Sequence, residues 1–162
     1  MDLLQWFTET GLGNFCFTIL VSMVPVVELR GGLPFGMALG LQEWAAYVAS
    51  VVGNLLPVPF IVVYIRRLFQ WMRRRLPRLG HLVDRLEEKA HMKSKKVMQY
   101  QFWGLVALVA IPLPGTGAWT GALVAALMDF RLKRAMPAIL LGVLIAGAVV
   151  LLVSKGVFAL LW

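Results

Sequence analysis

One cysteine, two histidines and eight acidic residues among 162 positions leave this chain short of reactive chemistry. Cys16 has no partner in the chain, so neither a disulfide nor a cysteine-based metal site is available. His81 and His91 stand ten apart without companion ligands at metal-binding spacing, and no metal is expected. No nucleophile, base and orienting acid gather within any apolar segment, so neither enzyme chemistry nor a cofactor is expected. The N-terminus, MDLLQWFTETG, lacks a basic leader region and a small-residue cleavage site, and it is expected to be retained.

Charge is scarce throughout: 15% of residues are charged and 60% are hydrophobic. That balance, with long apolar stretches, indicates an integral membrane protein rather than a soluble domain. The net charge of +8 is compatible with nucleic acid in total but not in distribution. Eleven of the sixteen Lys and Arg residues lie between 66 and 101, which points to membrane topology and away from a nucleic-acid partner.

Residues 1–11 are short and amphipathic, suited to the membrane interface. Residues 12–27 are free of charge, but at 1.5 Å per residue a helix of that length falls short of a hydrocarbon core of roughly 30 Å. Pro25, Gly31, Gly32 and Pro34 then predict a break across 28–34, with Glu28 and Arg30 inside it. An ionised side chain at bilayer depth costs about 2.5–3.5 kcal/mol on insertion scales, so this pair needs a functional or strong structural reason. A re-entrant hairpin fits the two short arms, provided its broken backbone is shielded by protein or lines a polar cavity. Residues 44–65 form a charge-free run long enough to cross, with a kink expected from Pro57 and Pro59. After Pro77, Leu79, Leu82, Val83 and Leu86 recur at helical spacing, predicting a basic amphipathic surface helix able to meet anionic lipid head groups. Residues 102–128 are again apolar but interrupted by PLPGTG, which predicts a second hairpin, and 135–153 supply a second spanning helix.

Sliding the chain on itself by 87 positions superposes these two plans, setting Pro25 on Pro112 and 44–65 on 131–152. Paired interrupted segments in matching positions mark transporter-type repeats. A hairpin crosses nothing net and a span crosses once, so the second repeat is expected to be inverted. The expected fold is therefore a single all-α membrane domain over 1–162. Its first repeat is 1–65, a basic cytoplasmic linker helix occupies 66–101, and the inverted second repeat is 102–162. Residues 66–101 and 129–134 together carry 14 Lys and Arg on one side, against Lys155 on the other. The positive-inside rule makes the first side cytoplasmic and puts both termini outside. Four full spans would give the same even count; segment length and the breaks favour hairpins.

Two hairpins entering from opposite faces bring Glu28, Arg30, Gly31 and Gly32 towards Gly115, Thr116, Gly117 and Trp119. This is the candidate site, with Asn54 and Thr116 better suited to satisfying freed backbone groups. Free N–H groups and the positive dipole end at each returning half-helix favour an anion. Arg30 can grip phosphate or carboxylate, whereas Glu28 can protonate, pair with Arg30 or attract a cation. The alternative is an internal clamp that only holds the hairpin. Two spans and two hairpins shield a polar cavity poorly, so a homodimer or larger assembly is expected.

ELRGGLP in the first half, PLPGTGAWTGAL in the second and the basic central segment resemble the small multidrug export protein family of prokaryotes, and the resemblance covers most of the chain. It implies export of small molecules across the inner membrane. The paired hairpins are also similar to the broader DedA or VTT superfamily, whose members are implicated in moving lipids and depend on membrane acids and arginines. That role carries over only to Glu28 and Arg30, because no arginine or acid lies between Gly104 and Met128. Proton-coupled export, translocation of a phosphate-bearing lipid and a structural role all remain open at this point. The topology has a direct check. With Cys16 replaced by Ser, an Ala90→Cys chain is expected to react with a membrane-impermeant thiol reagent only after the inner membrane is opened.

Overall fold

The computed structural model describes residues 11–75, 100–111, 116–128 and 130–161, and the regular structure among them is helical. In chain order the helices are α1 (Gly11–Met23), α2 (Glu28–Ala38), α3 (Glu43–Leu55), α4 (Val58–Arg75), α5 (Gln101–Ala110), α6 (Ala118–Leu127) and α7 (Leu132–Leu161). The segment expected at the interface before residue 11, the surface helix after Pro77, both histidines and Gly115 lie outside the described residues.

Two apolar stretches of 26 residues, Glu43–Leu68 and Leu132–Val157, are long and apolar enough to cross a membrane. At 1.5 Å per residue each reaches about 39 Å, beyond a hydrocarbon core of roughly 30 Å. The first joins α3 to the part of α4 that ends at Leu68. Pro57 and Pro59 have no N–H to donate, so the helix turns at 56–57 and resumes at Val58, with the Ile61 amide donating to the Pro57 carbonyl at 2.9 Å. The other apolar helices, Gly11–Met23, Gln101–Ala110 and Ala118–Leu127, are each too short to cross alone.

Two contacts set the long helices antiparallel. At one end Lys155 of α7 meets Glu43 of α3 at 2.6 Å. Towards the other, Arg66 of α4 donates to the Phe130 carbonyl just before α7. Between them the Tyr47 hydroxyl donates to the Leu144 carbonyl at 2.9 Å. Helices α1 and α2 pack on each other and on α3, while α5 and α6 pack on each other and on α7. The two groups interlock: α4 lies against α6, and α7 lies against α2. Leu29, Val58, Val62, Val109, Ile139 and Val143 are fully or almost fully buried where they meet.

On α1 the packing is the reverse of a helix in water. Along α1 the buried residues are Gly13, Asn14, Thr18 and Ser22, whereas Leu12 and Leu20 are exposed. The buried hydroxyls are satisfied within the helix, Thr18 donating to the Asn14 carbonyl and Ser22 to the Thr18 carbonyl, both at 2.8 Å. Phe60, Leu152 and Val153 point outward on the long helices. Large side chains outside and small ones within are what a lipid surround selects, because helices there gain by close backbone approach rather than by hiding apolar area.

The first break falls earlier than the sequence predicts. The chain turns at 24–27, with the Glu28 amide donating to the Val24 carbonyl at 2.9 Å, and Gly31, Gly32 and Pro34 belong to α2. Only Pro25 acts as a breaker. The glycines serve contact: a Cβ on Gly32 would overlap the Ser22 hydroxyl, and one on Gly53 would overlap the Ile19 carbonyl. Helix α2 ends on Gly40 at φ +85°, where the Leu41 amide returns to the Gly36 carbonyl at 3.1 Å in a Schellman closure. Asn14 then donates to the Leu39 carbonyl at 2.9 Å, tying the start of α1 to the end of α2.

Gly53→Ala is expected to lose about 1–3 kcal/mol through overpacking against α1. Gly104→Ala, whose Cβ meets nothing within 4 Å, is expected to be neutral or slightly stabilising. Unfolding in detergent titrated with denaturant distinguishes the two.

Candidate functional site

Every helix break exposes backbone groups that have no partner within their own helix, and lipid offers none. In this chain the two breaks satisfy each other. The Trp119 indole N–H, from the first turn of α6, donates to the Met23 carbonyl at the end of α1 at 3.2 Å. In return Glu28, the first residue of α2, accepts the Trp119 backbone N–H on Oε1 at 3.3 Å. Glu28 thus provides the N-terminal cap of α6 from another segment, a position where a carboxylate also meets the positive end of the helix dipole. Arg30 reaches the same break from the other side. Its Nη2 donates to the Ile111 carbonyl at 3.1 Å and to Thr116 Oγ1 at 2.8 Å, and Thr116 itself donates to Ile111 at 2.7 Å.

This arrangement needs two unusual backbone positions. Glu28 has φ +47°, in the left-handed region that a non-glycine residue enters only at a cost, typically of order 1–3 kcal/mol. Gly117 has φ +148°, and a Cβ there would overlap the Glu28 carboxylate. The carboxylate therefore occupies the space that a side chain at 117 would fill.

Behind the cap lies a cavity of about 10 Å³, lined by Glu28, Arg30, Asn54, Val109, Gly117 and Val143 among others. Asn54 is the twelfth residue of one 26-residue stretch and Val143 the twelfth of the other, so the cavity sits at the middle of both. Glu28 is 6% exposed and Asn54 3%, and Asn54 Oδ1 has no hydrogen-bond donor.

Glu28, Arg30, Thr116, Gly117 and Trp119 converge as one hydrogen-bonded cluster with Asn54 beside it. Gly31 and Gly32 do not line this cavity; Gly31 lies against Val27 and Gly32 against Ser22. The returning half-helix α6 does not offer its dipole end to an anionic ligand in this conformation, because Glu28 already holds it. Sequence reasoning missed the acceptors at Met23 and Ile111, since a carbonyl carries no residue signature. It also missed the apolar walls Val109, Val143 and Ala146, which read as ordinary helix residues. Among the described residues no cluster of His, Cys, Asp and Glu is fit to hold a metal.

Glu28→Gln keeps an oxygen acceptor for the Trp119 amide and is expected to fold with a melting temperature near wild type. Glu28→Ala removes the cap and is expected to cost about 0.5–2 kcal/mol. Gly117→Ala is expected to be worse than either, because strain and overlap add; thermal unfolding of the three purified variants ranks them.

Compared with known proteins, residues 28–149 match the profile of a family described as "Putative small multi-drug export protein". No curated protein and no solved structure matches the chain.

Proposed function

Because the chain belongs to the small multi-drug export protein family, with well over half its length matched, we propose that it exports small molecules through the mid-depth site between two re-entrant hairpins, α1–α2 and α5–α6, with Glu28 carrying the proton that drives export. The observation that carries this reading is the Glu28 carboxyl. It is buried at the middle of both long apolar stretches and bonded across to Trp119. An acid there costs too much to keep unless it works or holds the fold. As a carboxylate it latches α2 to α6; as a neutral acid it is a weaker acceptor, so protonation loosens the contact between the two hairpins. A site that changes its own closure on taking up a proton is what coupling requires.

Several features support the wider architecture. The four hairpin helices are short, and the matched packing of α4 on α6 and of α7 on α2 is what two inverted repeats, 1–65 and 102–162, would produce. The basic residues of 66–101 then place that segment on the cytoplasmic face, against anionic lipid head groups. A homodimer belongs to the same reading, although Glu28 and Asn54 are already buried within one chain. Translocation of a phosphate-bearing lipid would instead need the Arg30 guanidinium presented to ligand. Its bonds to Ile111 and Thr116 favour the export reading in this conformation.

In proteoliposomes carrying a pH gradient, wild type is expected to concentrate a fluorescent lipophilic cation. Glu28→Gln should still bind the cation and lose at least tenfold of the gradient-driven rate. Arg30→Ala should impair both, because Ile111 and Thr116 lose the donor that ties them to α2. Gradient-driven transport by Glu28→Gln at the wild-type rate would reject the coupling role, and binding of a lipid phosphate lost only with Arg30 would favour the lipid reading.

A further inference from the structure

Asn54 has no partner for its side-chain oxygen although it is 97% buried, and it faces the same cavity as Glu28. Buried polar atoms are nearly always hydrogen-bonded, and an exception calls for an unseen water or a functional role. The surroundings narrow the choice of donor. From α2 the cavity is lined by Glu28, Leu29 and Arg30; from α5 by Val109; from α7 by Val143 and Ala146; and Gly117 and Ala118 close it at the start of α6. Arg30 is the only other charged group in this lining; its Nη2 is bonded to Ile111 and Thr116, and none of its N–H groups meets Asn54 Oδ1. No lining group donates to Asn54 Oδ1 in this conformation; Glu28 donates only when protonated, and a water needs roughly the 10 Å³ that the cavity holds.

We propose that Asn54 is the second station of the Glu28 carboxyl: ionised, Glu28 accepts the Trp119 amide; protonated, it donates through one water in the cavity to Asn54 Oδ1. This rests on the reading of Glu28 as the proton carrier and assigns the partner of its acid form. The step balances simply. One proton arrives on the cavity water and passes to a Glu28 oxygen, the carboxylate charge is neutralised, and the Trp119 N–H···O contact weakens because its acceptor is no longer charged. The left-handed backbone at Glu28 suits such a device, since it is a strained position maintained by the bonds that the switch exchanges. Asn54 also lies one residue before the end of α3, next to the proline kink at 56–57. The proton's position is thereby connected to the one bend in the first long stretch. Asn54 is a positioning residue here, acting through Glu28.

The test uses the full chain in lipid and needs no substrate: infrared difference spectra between low and high pH, read in the protonated-carboxyl C=O region. A band lost in Glu28→Gln identifies the Glu28 acid form. In Asn54→Leu, which removes the acceptor, that band is expected to move to higher frequency as a hydrogen bond is lost. Asn54→Thr is a smaller change that keeps an oxygen at shorter reach. It should give a shift of the same sign and smaller size, and it decides the matter if Asn54→Leu does not fold. A Glu28 band unmoved in the Asn54 variants overturns the role of Asn54 and leaves the proton-carrier reading intact. The absence of any band that depends on Glu28 overturns both.

Discussion

The need to satisfy broken backbone away from water governs this molecule. Each interruption of a helix frees carbonyls at one end and amides at the other, and an apolar surround supplies no substitute partner. The chain meets the need by exchange between its halves: Trp119 donates to the Met23 carbonyl, Arg30 to the Ile111 carbonyl, and Glu28 receives the Trp119 amide. The two breaks are therefore mutually dependent, and neither hairpin is complete without the other. A charged pair that looks prohibitive in an isolated helix becomes part of the backbone's own hydrogen bonding.

The same surround explains the choice of packing residues. Where apolar area gains nothing by being hidden from lipid, stability comes from closeness, and closeness needs small side chains. Gly32 against Ser22, Gly53 against Ile19 and Gly142 against Val109 are contacts that a single added carbon would obstruct. They bring α2 and α3 near enough to α1, and α5 near enough to α7, for the breaks to meet at mid-length of the long stretches. Precision in the apolar packing is thus a condition for the polar cluster, because hydrogen bonds of about 3 Å tolerate little displacement.

In the proposed export reading, Glu28 combines two roles that sequence reasoning treats as alternatives. As a cap it holds α6; as a buried acid beside a small cavity it would take up the proton. A structural clamp and a proton site need not compete when the bond that clamps is the one that protonation weakens. Gly117 belongs to the same design, since its missing side chain leaves room for the carboxylate and its φ of +148° aims the start of α6 at it.

Composition and periodicity determined a great deal on their own. The all-helical class, the two long apolar stretches, the proline bend at 56–57, the short apolar arms around PLPGTG and the anomaly of Glu28 and Arg30 in an apolar run were all readable. Each depends on local properties: run length, charge at depth, and the backbone limits of proline and glycine. The family resemblance was equally legible in ELRGGLP and PLPGTGAWTGAL. The location of the first break was not. Gly31, Gly32 and Pro34 read as breakers because the sequence shows no neighbour for them, whereas in the fold Gly32 packs on Ser22 of α1, Gly31 on Val27, and all three stay helical. Only the tertiary structure decided which charge meets which backbone group. Those partners lie 81 to 96 positions apart and include carbonyls common to every residue, so no spacing in one sequence encodes them.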